Sequence, residues 1–148
     1  MVTIEVLSRD AVAAWVDELH ATRHGMALGI LFAGDRWSCI DEVVTAKVED
    51  EIVGIATIAP EGEQMSGQPT IVALYVFSEH RRGGVGCQLL EAAIDRMLQR
   101  GLEPIRIDAL HSGVLRMIDR LPIEKRQKIR VVDQSIGGFF DAMMEREL

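Results

Sequence analysis

A short glycine-rich segment constrains the fold of this chain more than any other feature of its sequence. The run Thr70–Phe77 is rich in β-forming residues, and from Val85 to Arg100 apolar side chains recur at helical spacing. Between them, residues 81–86 read Arg-Arg-Gly-Gly-Val-Gly. Glycines let a backbone turn sharply and point successive N–H groups at one anion, and the following helix adds its positive end. The segment therefore predicts a binding site for a phosphorylated cofactor, although a tight strand-to-helix turn alone also favours glycine.

The composition is that of a chain with a substantial hydrophobic core. Of its 148 residues, 48% are hydrophobic, and we expect a single domain over residues 1–148. No stretch is long and apolar enough to span a bilayer, and the N-terminus lacks a secretory pattern, so we expect a cytoplasmic protein. Cys39 and Cys87 are too few for a disulfide framework, and we interpret both as free thiols.

A possible metal pair is too incomplete to predict a site. His20 and His24 have the i, i+4 spacing of helical metal ligands. The intervening residues lack the glutamate of a His-Glu-x-x-His motif, and no third ligand lies nearby. We therefore predict no metal.

The order of the elements predicts the fold class. Strands come first, followed by a strand, helix, strand unit and then a further helix and strand, which favours an α+β or α/β mixed sheet flanked by helices. The segment Met26–Phe32 is interpreted as either a second helix or a loop. The other predicted elements are a strand at Thr3–Leu7, a helix from Ser8 to near Gly25, a hairpin of Val43–Val48 and Ile52–Ala59 around an acidic turn, a strand at Pro104–Leu110, a helix at Ser112–Leu121 closed by Pro122, and a strand at Lys128–Val132.

The sequence around the glycines resembles a known cofactor motif. Residues 74–90 resemble that of the GNAT superfamily of CoA-dependent N-acyltransferases, and the family pattern Gln/Arg-x-x-Gly-x-Gly/Ala is met at every defined position. The resemblance implies a mixed, mostly antiparallel sheet flanked by helices, with acetyl-CoA as cofactor. By resemblance, the pantetheine arm would be lined by Leu74, Tyr75 and Val76, and the pyrophosphate would be held by Arg81, Arg82, Gly83, Gly84, Val85, Gly86, Cys87 and Gln88.

The residues for proton transfer depart from the family pattern. Members often carry a glutamate at the position of Thr70 and a tyrosine at the position of Ile118. Two other side chains are candidate catalytic residues. His111 follows a predicted strand and titrates near neutral pH, and Tyr75 carries the only phenolic hydroxyl in the chain. The alternatives are that His111 is a capping or surface residue and that Tyr75 packs in the core.

The distribution of charge along the chain indicates which kind of amine would accept the acyl group. Residues 1–63 hold 12 acidic and 4 basic side chains, whereas residues 64–148 hold 11 and 12. An acidic acceptor half would favour a cationic amine, with Asp41 and Glu42 as candidate anions, although a solvated acidic surface explains the same pattern. The net charge of −7 and the lack of aromatics among the basic residues argue against nucleic acid.

Three functions agree with these patterns. The first is direct transfer of an acetyl or short acyl group from acetyl-CoA to a small-molecule or peptide amine. The second is CoA binding without turnover, and the third is a structural domain whose glycine loop is only a turn. An exposed edge strand would favour a homodimer. A bulky replacement of Gly86 is expected to abolish CoA binding while leaving the fold largely intact.

Overall fold

Among the described residues, six strands form one mixed sheet in the order in which they occur along the chain. The computed structural model describes residues 1–20, 37–63, 66–109 and 112–133. The first four strands pair antiparallel with one another, and the fifth and sixth run parallel to the fourth. This architecture confirms the predicted fold class. The elements are β1 Thr3–Ser8, α1 Arg9–His20, β2 Glu42–Val48, β3 Glu51–Ala59, β4 Thr70–Val76, α2 Val85–Gln99, β5 Ile105–Ala109, α3 Ser112–Asp119, α4 Ile123–Arg126 and β6 Ile129–Asp133.

Each face of the sheet carries its own hydrophobic core. Helix α2 packs on one face through side chains that include Leu89, Leu90 and Ile94, all fully buried. Helix α1 packs on the other face through Val12 and Val16. Side chains of a strand alternate between faces, so the continuous apolar strands β3 and β4 supply both cores at once. The buried side chains of α2 follow the helical spacing of apolar residues that the sequence predicts over Val85–Arg100.

Short-range sequence features predict the β2–β3 turn and the end of α2. The β2–β3 turn has φ of 51° at Glu49 and 67° at Asp50, as a two-residue type I′ hairpin turn requires. Helix α2 ends at Gln99 and is followed by Gly101, which has φ of 72° and whose N–H donates to the carbonyl of Leu98. The N–H of Leu102 bonds to the carbonyl of Met97, which completes a glycine-terminated helix end.

Helix α4 was not predicted from the sequence. Pro122 was expected only to close a helix, but its carbonyl also accepts hydrogen bonds from the backbone N–H groups of Lys125 and Arg126 and so begins α4. Lys125 holds α4 against α2 through Glu91 and Asp95, each at 3.0 Å. The hydrogen bonds that Lys125 donates to Asp95 and Glu91 raise the pKa of its ammonium group above its ordinary value. Four residues are too few to show a helical period, so the pattern could not reveal this turn.

Asp41 and Glu42 form ion pairs with the C-terminal part of α2. Glu42 accepts two hydrogen bonds from Arg96, at 3.0 and 2.9 Å, and one from Arg100 at 2.7 Å. Asp41 accepts from Arg100 at 2.7 Å. The Glu42 hydrogen bond raises the pKa of Arg96, and the Asp41 hydrogen bond raises that of Arg100. Because a helix rises 1.5 Å per residue, Arg96 lies roughly 16 Å along α2 from Val85. The two carboxylates therefore serve α2 packing, at a distance from the glycine loop.

We predict that Glu42→Gln lowers the melting temperature by about 2–6 °C. The substitution weakens three charge-assisted hydrogen bonds in a side chain that is only 20% exposed. Thermal unfolding followed by circular dichroism measures the change. Glu103→Gln is the matched control, because Glu103 makes one ion pair with Lys128 and is 45% exposed. Equal shifts in the two variants would contradict a structural role for the Glu42 network.

No helix among the described residues is long and apolar enough to cross a membrane.

Candidate functional site

Strands β4 and β5 pair only at one end. The paired residues are Thr70 with Arg106 and Ile71 with Ile107, while β5 and β6 pair along their whole length. Beyond Ile71, no described strand pairs with the edge of β4 that faces β5. A gap therefore opens toward the carboxyl ends of two parallel strands, where open mixed sheets tend to bind ligands.

A bulge in β4 accompanies this gap. Opposite the consecutive residues Thr57 and Ile58 of β3 stand Ala73 and Ile71, so Val72 is the extra residue. The N–H of Ala73 donates to the hydroxyl of Thr57 at 2.9 Å, which replaces a ladder bond. A bulge bends its strand and increases the local twist. We attribute the separation of β4 from β5 to this bend.

The second half of β4 presents peptide groups to the gap. The N–H of Phe77 donates to the carbonyl of Val53 at 2.9 Å, which sets the phase of the antiparallel ladder. Because alternate residues bond to opposite sides, the peptide groups of Leu74 and Val76 face away from β3 and into the gap. The side chains of these two residues pack toward the α2 core. Tyr75 differs, because its peptide group faces β3 and its side chain lies in the α1 core, 2% exposed.

The glycine loop leads from this gap to the N-terminus of α2. Arg82 has φ of 76° and Gly84 has φ of 82°, both in the left-handed region. A Cβ atom on Gly84 would meet nothing within 4 Å, so the backbone there is open to a ligand. Helix α2 has no side-chain cap and no acidic residue in its first turn. The N–H groups of its first turn therefore remain available to an anion.

The other predicted loop residues differ in exposure. The side chain of Val85 is 4% exposed and lies in the α2 core, so only its peptide group can serve a ligand. Cys87 is half-buried and Gln88 is exposed. Gly83 is exposed, and an added Cβ would meet only the carbonyl oxygen of His80, at 3.9 Å.

Arg81 holds the loop against the end of β4. Its Nε donates to the carbonyl of Val76 at 2.7 Å, and its guanidinium lies over the Tyr75 ring, 5.3 Å from the ring centroid. Nη2 of Arg81 is buried and finds no acceptor in the described part of the chain. Leaving a buried donor of a charged group unpaired is costly. The geometry at the gap thus fits a ligand that carries an acceptor oxygen.

A sequence model of the acetyltransferase (GNAT) family matches residues 7–118. The chain belongs to this family. No curated protein matches the sequence significantly.

Solved structures with the same fold include several acetyltransferases. The aminoglycoside acetyltransferase meta-AAC0020 from an uncultured soil metagenomic sample, in complex with sisomicin, has a TM-score of 0.58 at 20% identity over 82% of this chain and 88% of that chain. The ribosomal-protein-alanine N-acetyltransferase of Brucella melitensis biovar Abortus 2308 has a TM-score of 0.50 at 18% identity over 86% and 87%. AAC(6')-Iy in complex with a bisubstrate CoA analogue has a TM-score of 0.50 at 16% identity over 74% and 80%. At these identities the likeness establishes the shared fold.

Two positions where members of the family often carry proton-transfer residues are occupied differently here. The hydroxyl of Thr70 is buried and donates to the carbonyl of Gln68 at 2.8 Å. Ile118 is 6% exposed and belongs to the α2 core. Neither side chain can act as an acid or base at neutral pH.

Of the two predicted catalytic residues, only Tyr75 lies in the described part of the chain. Tyr75 makes an edge-to-face contact with Phe77, with ring centroids 6.0 Å apart, and lies under the Arg81 guanidinium. Its predicted role as a proton donor stays a prediction. His111 lies outside the described residues, as do Gly25 and Met26–Phe32. The role of His111 also stays a prediction.

Gly86 lies against the end of the Met117 side chain of α3. A Cβ atom at this position would lie 2.7 Å from Sδ of Met117 and 3.3 Å from its Cε. A side chain at this position would therefore require the flexible end of Met117 to shift. The expectation that such a variant keeps the fold largely intact stays a prediction, and Gly83, where an added Cβ would meet only one atom at 3.9 Å, is the position with more room for a test of the loop.

Two charged residues of β5 that the sequence pattern did not predict as site residues lie near the gap. Arg106 and Asp108 lie beside the β4–β5 gap and form an ion pair at 2.7 Å. The available signal was the alternation of apolar and charged residues over Ile105–Ala109. Their closeness to the gap depends on the strand register, which the sequence pattern does not reveal.

Proposed function

We propose that this chain transfers an acetyl group, or another short acyl group, directly from acetyl-CoA to a primary amine. The observation that carries the proposal is the gap between β4 and β5, with the glycine loop and the open N-terminus of α2 at the end of β4. A slot lined by peptide groups suits an amide-containing arm, and a positive helix end suits a pyrophosphate. Family membership supports the same conclusion.

The residues that would hold CoA form two groups, one for the pantetheine arm and one for the pyrophosphate. Along the gap, the peptide groups of Leu74 and Val76 would bind the pantetheine amides, and Nη2 of Arg81 would donate to an acceptor oxygen of the arm. At the loop, the backbone N–H groups of residues 81–88, most of all those of the first α2 turn, would bind the pyrophosphate. Bound acetyl-CoA would supply the activated acyl group as a thioester.

Proton transfer would fall to groups other than Thr70 and Ile118. The amine must lose a proton before it attacks, and the leaving thiolate must gain one. We propose His111 as the base and the hydroxyl of Tyr75 as the acid. Tyr75 lies under the guanidinium of Arg81, whose positive charge can stabilise negative charge that develops nearby.

The acceptor would be a cationic amine, either a small molecule or a peptide. One neighbour is an aminoglycoside acetyltransferase in complex with sisomicin, and another is a ribosomal-protein-alanine N-acetyltransferase. These names support an amine acceptor but leave its size open. The expectations of a single domain over residues 1–148, a cytoplasmic location and a homodimer stay predictions.

A second candidate function is CoA binding without turnover. The observation that favours it is the loss of titratable groups at Thr70 and Ile118, whose side chains are buried in the described structure. In that case the β4–β5 gap and the loop would still hold the cofactor.

Calorimetric titration with acetyl-CoA and with CoA tests the proposal. We expect micromolar dissociation constants, together with release of CoA thiol when an amine panel of putrescine, sisomicin and an alanine-initiated peptide is added. Binding without thiol release for any amine would favour the second function. Absence of binding in the folded protein would contradict both functions and leave the loop as a turn.

A further inference from the structure

Two charged side chains project from the face of β5 that is turned away from α2. Ile105, Ile107 and Ala109 are buried in the α2 core, so alternation places Arg106 and Asp108 on the opposite face. That face of the sheet also carries α1 and the Tyr75 side chain. Arg106 and Asp108 therefore lie on the same side of the sheet as the proposed proton donor.

Asp108 stands at the start of the gap. The last β4–β5 pair joins Ile71 to Ile107, and Asp108 is the next residue of β5. On its other side Asp108 is paired in register with Val132 of β6, an uncharged neighbour. A carboxylate is thus placed where β5 first separates from β4, on the face of the sheet that carries α1.

The contacts of Asp108 leave part of its carboxylate available. Nε of Arg106 donates to Oδ1 of Asp108 at 2.7 Å, and the side chains are 34% and 14% exposed, respectively. Oδ2 accepts no hydrogen bond from the described part of the chain. A carboxylate has room for about four donors, and a mostly buried one is stabilised by filling them. A protonated amine offers three N–H donors and a positive charge.

We propose that Asp108 binds the ammonium group of the acceptor and thereby selects cationic amines, and that Arg106 is a positioning residue for this carboxylate. The inference rests on the proposed function, since it assumes that the amine approaches the gap from the α1 face. Nε of Arg106 fixes Oδ1, which leaves Oδ2 for the ligand. The hydroxyl of neighbouring Thr70 is engaged with Gln68 and does not compete.

Amide NMR titration of the folded full chain tests the proposal directly. Putrescine, sisomicin and an alanine-initiated peptide are titrated separately with and without CoA, and butanediol serves as the uncharged analogue of putrescine. We expect at least one amine to bind and the diol not to bind. Asp108→Asn, which keeps the shape and removes the charge, is expected to weaken amine binding by about tenfold or more while leaving CoA affinity unchanged.

Matched variants distinguish a role of Asp108 in amine binding from a general structural effect of its substitution. Asp119→Asn makes the same chemical change at an exposed residue at the end of α3 and is expected to leave amine binding unchanged. Arg106→Gln should weaken amine binding by a smaller factor, and Arg106→Lys should recover part of it. For any amine that is acetylated, Asp108→Asn should raise KM more than it lowers kcat.

Several outcomes would overturn the proposal. They are unchanged amine affinity in folded Asp108→Asn, binding of butanediol as tight as that of putrescine, and binding of no amine at all. The titrations without CoA measure amine binding by itself, so they test the role of Asp108 even if the wild-type chain fails to bind CoA. Such a failure would contradict the proposed function on its own, so the two hypotheses are tested independently.

Discussion

Replacing Gly83 with aspartate is expected to weaken CoA binding by about tenfold or more, whereas asparagine should change it by no more than about threefold. An added Cβ at Gly83 would meet only the carbonyl oxygen of His80, at 3.9 Å, and its φ is not in the left-handed region. Either side chain therefore fits without backbone strain. A charge about 6 Å from a phosphate charge costs roughly 0.7–3 kcal/mol between the dielectric limits of water and a protein surface.

The pair of variants isolates charge from shape. Calorimetric titration with CoA gives the affinities, and thermal unfolding verifies that both variants stay folded. Because the effect is electrostatic, raising the salt concentration should narrow the difference between aspartate and asparagine. Equal affinities of the two folded variants at low salt would argue that the pyrophosphate does not bind at this loop. Gly83 is preferred to Gly86 for this test, because a Cβ atom at Gly86 would lie 2.7 Å from Sδ of Met117.

Leu89→Ala is expected to destabilise the fold by about 2–5 kcal/mol. Leu89 is fully buried between α2 and the sheet, and its Cδ1 would lie 2.8 Å from a Cβ placed on Gly54. Truncation to alanine removes apolar contacts and leaves a cavity above Gly54. Chemical denaturation measures the free energy of unfolding. Leu89→Met, which conserves volume, should cost less than about 1.5 kcal/mol.

A double-mutant cycle with Gly54→Ala tests the geometry of this contact. Gly54→Ala alone should destabilise the protein by roughly 1–3 kcal/mol, because its methyl group would collide with Leu89 and approach the Tyr75 carbonyl oxygen at 3.1 Å. In the double variant the methyl group enters the space that Leu89 vacates. The combined loss should therefore be smaller than the sum of the single losses, by about 1 kcal/mol. Strict additivity would show that the two residues are not in contact.

The amphipathic spacing of α2, the acidic hairpin turn at Glu49 and Asp50, and the stop at Gly101 were all predictable from the sequence. Each depends on neighbours within a few residues along the chain, where propensity and periodicity act directly. The glycine loop was located for the same reason. Its φ values at Arg82 and Gly84 show the left-handed backbone that such a turn requires.

The roles of Asp41 and Glu42 became clear only from the residues that they contact in the folded chain. Asp41 and Glu42 looked like candidate anions for the acceptor, but they contact Arg96 and Arg100, which are more than fifty positions away in sequence. The sequence shows Gly86 only as part of the glycine loop, whereas the fold shows that Met117 of α3 lies against it. Such assignments depend on which helix packs where, and local patterns carry little of that information.

The sequence alone determined the types of the longer elements, the mixed α+β class and the position of the glycine turn, because these follow from local backbone preferences and from the period of apolar residues. Only the tertiary structure decided where the sheet opens. The bulge at Val72 lies within an unbroken apolar run, and it is the register of β4 against β3 and β5 that separates the strands. The same register places Asp108 beside the gap, while the packing of Arg81 onto Val76 and Tyr75 positions its unpaired donor there. Strand register is a contact between distant segments, so the site exists only once the chain has folded.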